Sequence, residues 1–232
     1  MREIVFDTET TGLNPAGGDR IVEIGCVEVY NRVETGRHFH AYFNPERAMP
    51  SEAEAVHGLT NIFLSDKPFF DERADDLLAF LEDSPLVAHN ASFDFGFLNF
   101  ELERSGRAPV SIGRMVDTLT LARSRHPGAK HSLDALCIRF GIDRSHRVKH
   151  GALLDAQLLA QVYVELTGGR QIGLGLVADT DQIRVDTDTG TVKIRDPRVA
   201  RPHHANDDEL ERHRAFIAKL VNPLWARFAE AS

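Results

Sequence analysis

The sequence predicts an α/β chain: a mixed five-stranded sheet flanked by helices, followed by a flexible tail carrying one short helix. Three observations predict it. Residues 2–6, 21–30 and 37–43 read as strands, the last two rich in Val, Ile, Phe and Tyr. From Ser51 the apolar spacing changes from alternation to the helical period, interrupted only by the short runs "PLVAHN" and "MVDT". After Gly169 the composition shifts to Asp, Thr, Arg and Pro, with little to bury.

Each element has its reason. Gly12 to Gly18 and Asn31 to Gly36 supply turn residues, and such short connections favour antiparallel neighbours for the first three strands. "SEAEAVHG" opens with Ser51 and, three residues on, Glu54, the spacing of a capping box. "FDERADDLLAFLED" is amphipathic, with Leu77, Leu78, Phe80 and Leu81 facing inward. "PLVAHN" reads as a buried strand, and "SFDFGFLNFELERSG" as a helix ending at Gly106. "MVDT" is a fifth strand. Helices follow in "TLTLARSRH", "SLDALCIRFG" and "GALLDAQLLAQVYVELTGG", the last stopped by Gly168 and Gly169. Three meandering strands followed by alternating helices and strands fit a ribonuclease-H-like architecture.

Composition narrows the function. Of the 232 residues 42% are apolar and 27% charged, as in an ordinary soluble domain. No apolar run approaches the ~18 residues of a membrane span, and the first residues lack a signal-peptide core. Cys26 and Cys137 lie in apolar contexts without metal-type spacing and read as buried free thiols of a cytoplasmic protein. The net charge is −8. A chain this acidic does not hold nucleic acid by its general surface, so such work must be local and metal-assisted, or helped by a partner.

Acids concentrate in three places. In "VFDTETTG" a buried run leads straight into Asp7 and Glu9, which as i and i+2 on a strand share a face. Asp94 falls in the first turn of a helix in "VAHNASFDFGFL", and His150 and Asp155 open another in "KHGALLDAQLLA". Singly, each has a bland account: a solvated turn, or an acid complementing a helix dipole. Together, four carboxylates beside buried segments are costly unless a cation neutralises them. All-oxygen ligands suit Mg²⁺ or Mn²⁺.

"FDTETTG", "VAHNASFDFGFL", "HSLDAL" and "HGALLDA" resemble, in order, the motifs of the DEDD exonucleases of the histidine subtype, over roughly residues 1–168. The resemblance implies a metal-dependent 3′→5′ exonuclease. It makes Asp7, Glu9, Asp94 and Asp155 the ligands of two divalent cations and His150 the general base. It puts Thr10, Leu13, Val56 and His57 near the 3′-terminal nucleotide of DNA, with Asn90 a further substrate-side candidate. Within the superfamily it points to the proofreading branch that serves bacterial replicative polymerases. An RNA-trimming or general single-strand exonuclease is the alternative of the same chemistry, and a non-catalytic bridging subunit the alternative of another class.

The expected organisation is an exonuclease domain at 1–169, a candidate clamp-binding motif at 170–177, a linker at 178–206 and an amphipathic polymerase-binding segment at 207–232. Gln171, Leu174 and Leu176 give a Gln-x-x-Leu-x-Leu pattern that resembles a bacterial sliding-clamp motif. "QIRVDTDTGTVKIRD" could pair as a hairpin. Asn206 and Glu209 have capping-box spacing, and Leu210, Phe216, Ile217, Leu220 and Val221 follow on one helical face. Pro223 is expected to end that helix near Asn222, leaving Leu224, Trp225 and Phe228 beyond it. The resemblance directs this segment, with Phe216, Leu220 and Trp225 as anchors, to the catalytic subunit of the polymerase.

Overall fold

The computed structural model describes residues 1–145, 149–169, 183–185, 192–194 and 205–220. It divides into two compact units, Met1–Leu174 and Gly175–Ser232.

The first unit is built on strands β1 (Arg2–Thr10), β2 (Ile21–Tyr30), β3 (Val33–Tyr42), β4 (Leu86–Ala88) and β5 (Met115–Asp117). They form one five-stranded sheet in the order β3-β2-β1-β4-β5. The first three are antiparallel, while β4 and β5 run parallel to β1, so the sheet is mixed as expected. Helices α1 (Ser51–His57), α2 (Asn61–Leu64), α3 (Phe70–Leu81), α4 (Ser92–Arg104), α5 (Thr118–Arg125), α6 (Leu133–Phe140) and α7 (Ala152–Leu166) complete it.

The alternation of β1 divides the core. Ile4 and Phe6 pack with Phe70, Leu77 and Leu81 of α3 and Phe95, Leu98 and Leu102 of α4. Val5 packs on the other side with Ala156, Leu159, Ala160 and Tyr163 of α7. Phe6 meets Phe95 edge-on, with ring centroids 5.7 Å apart. Burial of each such side chain stabilises by roughly 1.5–3 kcal/mol. Arg20, at the start of β2, clamps the sheet to α4 through Glu101: Nε donates to Oε1 at 2.6 Å and Nη2 to Oε2 at 3.0 Å. Cys26 and Cys137 are buried free thiols.

Four sequence expectations need correction. β1 does not end before the acids; it carries Asp7 and Glu9 within its paired length as far as Thr10, because β2 continues alongside. β3 begins at Val33, since Asn31 and Arg32, with φ of 49° and 68°, make the whole reversal in two left-handed residues. Gly36, at φ 84°, sits instead where the β2–β3 register shifts around Glu28. Ser51 is not a cap: extended Pro50 occupies the N-cap of α1, and the Ser51 hydroxyl turns to Glu52. Phe80 is only partly buried, lying against Phe39 with the Arg2 and Arg37 guanidinium groups over its ring.

In the second unit, β6 (Ile183–Val185) and β7 (Val192–Ile194) pair antiparallel, which gives the anticipated hairpin. Helix α8 (Asp207–Ile217) starts with the anticipated box: the Asn206 side chain accepts from the Glu209 amide, and the Glu209 carboxylate accepts from the Asn206 amide. It stops at Ile217, earlier than Pro223 alone would require, and Ala218 to Leu220 follow as a turn. Gln171, Leu174, Leu176 and Trp225 lie outside the described residues.

Candidate active site

Two features of the sheet create the site. First, β1 outruns β4. The parallel pairing stops at Ile4↔Leu86 and Val5↔Val87, so from Asp7 onward β1 is paired on the β2 side alone. Second, Asp7 lies opposite Gly25 of β2, and a Cβ on Gly25 would fall 2.3 Å from the backbone of Leu153. Only glycine lets the first turn of α7 sit directly on the strand pair. That close approach delivers Asp155, buried like Glu9, to the acid-bearing face of β1. The β1–β2 register also shifts between Glu9 and Thr10, a bulge next to the acids.

Opposite faces of β1 then converge on one place. Glu9, His150 and Asp155 offer ligand atoms that lie within 4.8 Å of one another. The His150 ring Nδ1 is 3.2 Å from Asp155 Oδ2, with the imidazole itself half exposed. Asp94 approaches from α4, where the Thr8 hydroxyl donates to its Oδ1 at 2.7 Å. The turn before α4 is held by Asp117, whose Oδ1 accepts from the amides of Asn90 at 3.0 Å and Ala91 at 3.3 Å. Asn90 takes a left-handed φ of 63° there.

The electrostatics are those of a site made for cations. Asp7 is held well above the usual carboxylate range by desolvation, then by repulsion from Asp94, Glu9, Asp155 and Glu23. Asp94 is pushed up to about 7 by burial, against which the Thr8 hydrogen bond works. Burial also opposes ionisation of Asp117, but hydrogen bonds from Thr120 and from the Ala91, Leu119 and Thr120 amides outweigh it and leave its pKa low. The residues fit divalent cations on this ground. Buried carboxylates that repel one another, with a histidine at their edge, are a donor set that a hard cation would relieve. The cluster departs from the sequence expectation in one respect: the trio within 4.8 Å includes His150, while Asp7 and Asp94 are linked to it through their charges.

The substrate-side candidates differ in exposure. Thr10 is buried, and its hydroxyl donates to the Gly12 carbonyl at 2.6 Å. Leu13 is 84% exposed, a large apolar side chain held out into solvent. The loop between them is ordered by Asp19, which accepts from the Thr11 hydroxyl, the Asn14 amide and Arg47. Val56 is exposed at the end of α1, whereas His57 beside it is buried. Asn90 is exposed, and His89 faces inward, its Nδ1 2.9 Å from the Thr118 hydroxyl.

Thr8, Gly25 and Asp117 were not legible as site residues. Thr8 points to the opposite face from Asp7, so only the three-dimensional path of α4 brings Asp94 to it. Gly25 carried a weak signal: an isolated glycine inside a strand pattern marks a close backbone approach.

An open acid-lined strand end, opposed by His150 just before α7 and Asp155 in its first turn, fits the site of a 3′→5′ exonuclease. The family model described as exonuclease matches residues 4–163. A DNA polymerase III subunit epsilon of Rickettsia felis is 47% identical over 232 residues, spanning 95% of this chain and 97% of the relative. Its counterpart in Escherichia coli is 43% identical over 224 residues, 93% of this chain and 92% of the relative. Among solved structures, Exonuclease X in complex with 5′ overhanging duplex DNA superposes with TM-score 0.56 at 28% identity, over 71% of this chain and 90% of that one. The nuclease domain of 3′hExo, a DEDDh family member bound to rAMP, shares the fold with TM-score 0.62 at 17% identity, over 72% of this chain and 91% of that one. The chain belongs to the exonuclease family, and within it to the epsilon subunits of DNA polymerase III.

Proposed function

We infer that this chain is the proofreading exonuclease of a replicative DNA polymerase, removing mismatched 3′-terminal nucleotides as nucleoside monophosphates. The observation that carries the reading is the meeting of Asp7, Glu9, Asp94, His150 and Asp155 at one end of β1. Asp7, Glu9, Asp94 and Asp155 would hold two divalent cations, Mg²⁺ or Mn²⁺, which when bound would supply positive charge to the phosphodiester and lower the pKa of a bound water. His150 takes the proton of the attacking water, since a neutral imidazole nitrogen can act as a general base. Asp155, against Nδ1, orients the ring so that its other nitrogen is turned to the substrate. The water oxygen bonds to phosphorus as the bond to the 3′ oxygen of the preceding nucleotide breaks.

Leu13, Val56, His57, Thr10 and Asn90 receive the terminal nucleotide in this reading. Selection of errors needs no reading of base identity: a mismatched end frays at a few kcal/mol less cost than a paired one, and only a frayed strand enters. The relatives' name, a polymerase III subunit, supports assembly with the catalytic alpha subunit through residues 207–232. The Gln171, Leu174 and Leu176 pattern supports binding of the beta sliding clamp at 170–177, with 178–206 as the linker. A cytoplasmic place follows from that assembly. Among the described residues no helix is long and apolar enough to cross a membrane.

The experiment is digestion of a 3′-mismatched primer, a matched primer and single-stranded RNA by the same enzyme, with Mg²⁺ and with chelator. Metal-dependent loss of the mismatched end before the matched one is expected. Preferred digestion of RNA would return the chain to the RNA-trimming alternative.

A further inference from the structure

Lys149 precedes His150 and is exposed at the surface. It lies across Gly58, the left-handed C-cap of α1, where a Cβ would fall 2.7 Å from Lys149 Cδ and 2.8 Å from Nζ. Among the described residues it forms no ion pair, although four carboxylates crowd the neighbouring site. His57 is 6% exposed; its Nδ1 accepts from the Leu59 amide at 3.0 Å, which leaves the proton on Nε2. That Nε2 is buried with no hydrogen-bond partner. Lys149 lies close enough to lower the pKa of His57, after the larger effect of burial.

An exposed ammonium and a buried imidazole N–H, which has the Thr10 backbone beside it but no well-formed hydrogen bond, therefore share one corner next to the proposed base and Val56. Groups of this kind answer an anion. On this face of the molecule the anion that arrives is a phosphate of the substrate strand.

We propose that Lys149 is a substrate-binding residue that contacts a phosphate of the 3′-terminal nucleotides and so sets affinity for the strand end. This rests on the exonuclease reading. The absence of a Cβ at Gly58 gives the lysine its path along α1, and α1 carries Val56, which receives the terminal nucleotide in that reading. Its contribution is to binding, because its ammonium is held against Gly58 rather than over the carboxylates.

The test compares wild type with Lys149→Ala, Lys149→Gln and Lys149→Arg on a single-stranded DNA oligonucleotide in Mg²⁺, over a salt series. For Ala and Gln, KM is expected to rise about 5- to 10-fold, with turnover at saturation within about twofold of wild type. The slope of log(kcat/KM) against log salt should become shallower by about 0.7, one phosphate contact on a single strand. Lys149→Arg should restore most of both. Unchanged KM and salt slope would make Lys149 a solvated surface cation and overturn the proposal. A fall in kcat with a shifted pH profile at constant KM would also overturn it, assigning the lysine to the placement of His150. Wild-type activity in the same assay separates these outcomes from failure of the exonuclease reading itself.

Discussion

Helices α7 and α8 are both amphipathic, yet they are held in opposite ways. α7 has no side-chain cap at Gly151, and it buries Ala156, Leu158, Leu159, Val162 and Leu166. α8 has a complete capping box and three acids in its first turn, and it buries no residue. Leu210, Phe216 and Leu220 are all exposed, Phe216 by 59%. A helix in a finished core needs no cap, because packing fixes its position. A short helix without a core is marginal in water, and local devices are all that define it. Packing thus defines α7, while α8 is defined by its own cap and leaves Leu210 and Phe216 exposed. The acids of β1 are the exception within the nuclease domain, since there burial works against the groups it covers.

That exception supplies the largest expected effect. Asp7→Ala combined with Glu9→Ala should lower exonuclease activity by at least ~1,000-fold, because transition-state charge stabilisation is lost with the cation ligands. The metal-free domain should nonetheless unfold cooperatively, at an unchanged or higher temperature, because Asp7 is destabilised by its acidic neighbours. Activity in Mg²⁺ and thermal unfolding in chelator are the two measurements. Substantial residual digestion would remove these residues from the site.

His150→Ala should cost about 100-fold in turnover, the usual scale of a lost general base. Its half-exposed ring carries little of the core, so stability should barely change. Turnover at saturating substrate in Mg²⁺ is the measurement, and a variant that keeps most of the rate would identify another base.

A smaller effect separates the site from the rest of the domain by pH. Asp7 and Asp94 have folded-state pKa values above the ordinary carboxylate range, Asp94 at about 7. The folded chain then binds more protons than the unfolded chain between about pH 4 and 7. Stability from these two groups is fully present below the lower limit and is lost as pH rises through the upper one. In chelator, the melting temperature should therefore fall from pH 5.5 to 8, and Asp7→Asn with Asp94→Asn should flatten that fall. Divalent metal binds the ionised carboxylates and should oppose it. An equal slope in the double variant would place the pH sensitivity elsewhere.

The sequence made some of this legible for definite physical reasons. Strand alternation put Asp7 and Glu9 on one face, and the structure keeps them there within β1. The mixed character of the sheet followed from short turns between three strands and helices alternating with strands after them. What stayed hidden depended on partners remote in the chain. The length of β1 is set by β2, the position of α7 by the absence of a side chain on Gly25, and the setting of Asp94 by Thr8 and Asp117. The capping box at Ser51 misled because the same Ser-x-x-Glu spacing can begin one residue inside a helix already started by proline.

The smallest effect on chemistry, and the sharpest test of the comparison, comes from removing residues 207–232. None of the acids or His150 lies in that segment, so digestion of free oligonucleotides should stay within about twofold of wild type. The exposed Leu210 and Phe216 of α8, with Leu220 in the turn after it, offer apolar surface. With Trp225 it has the composition of a docking element whose aromatic anchors fill a groove on a partner. The proposed partner is the catalytic subunit of the polymerase. A polar linker of about thirty residues before it would keep the nuclease at high local concentration while letting it leave and return to the primer end. Deletion should abolish co-elution with that subunit by size exclusion, and Trp225→Ala alone should weaken it strongly. If the truncated protein still co-elutes stoichiometrically, the nuclease domain makes the contact. The open face of α8 would then serve something other than assembly with the polymerase.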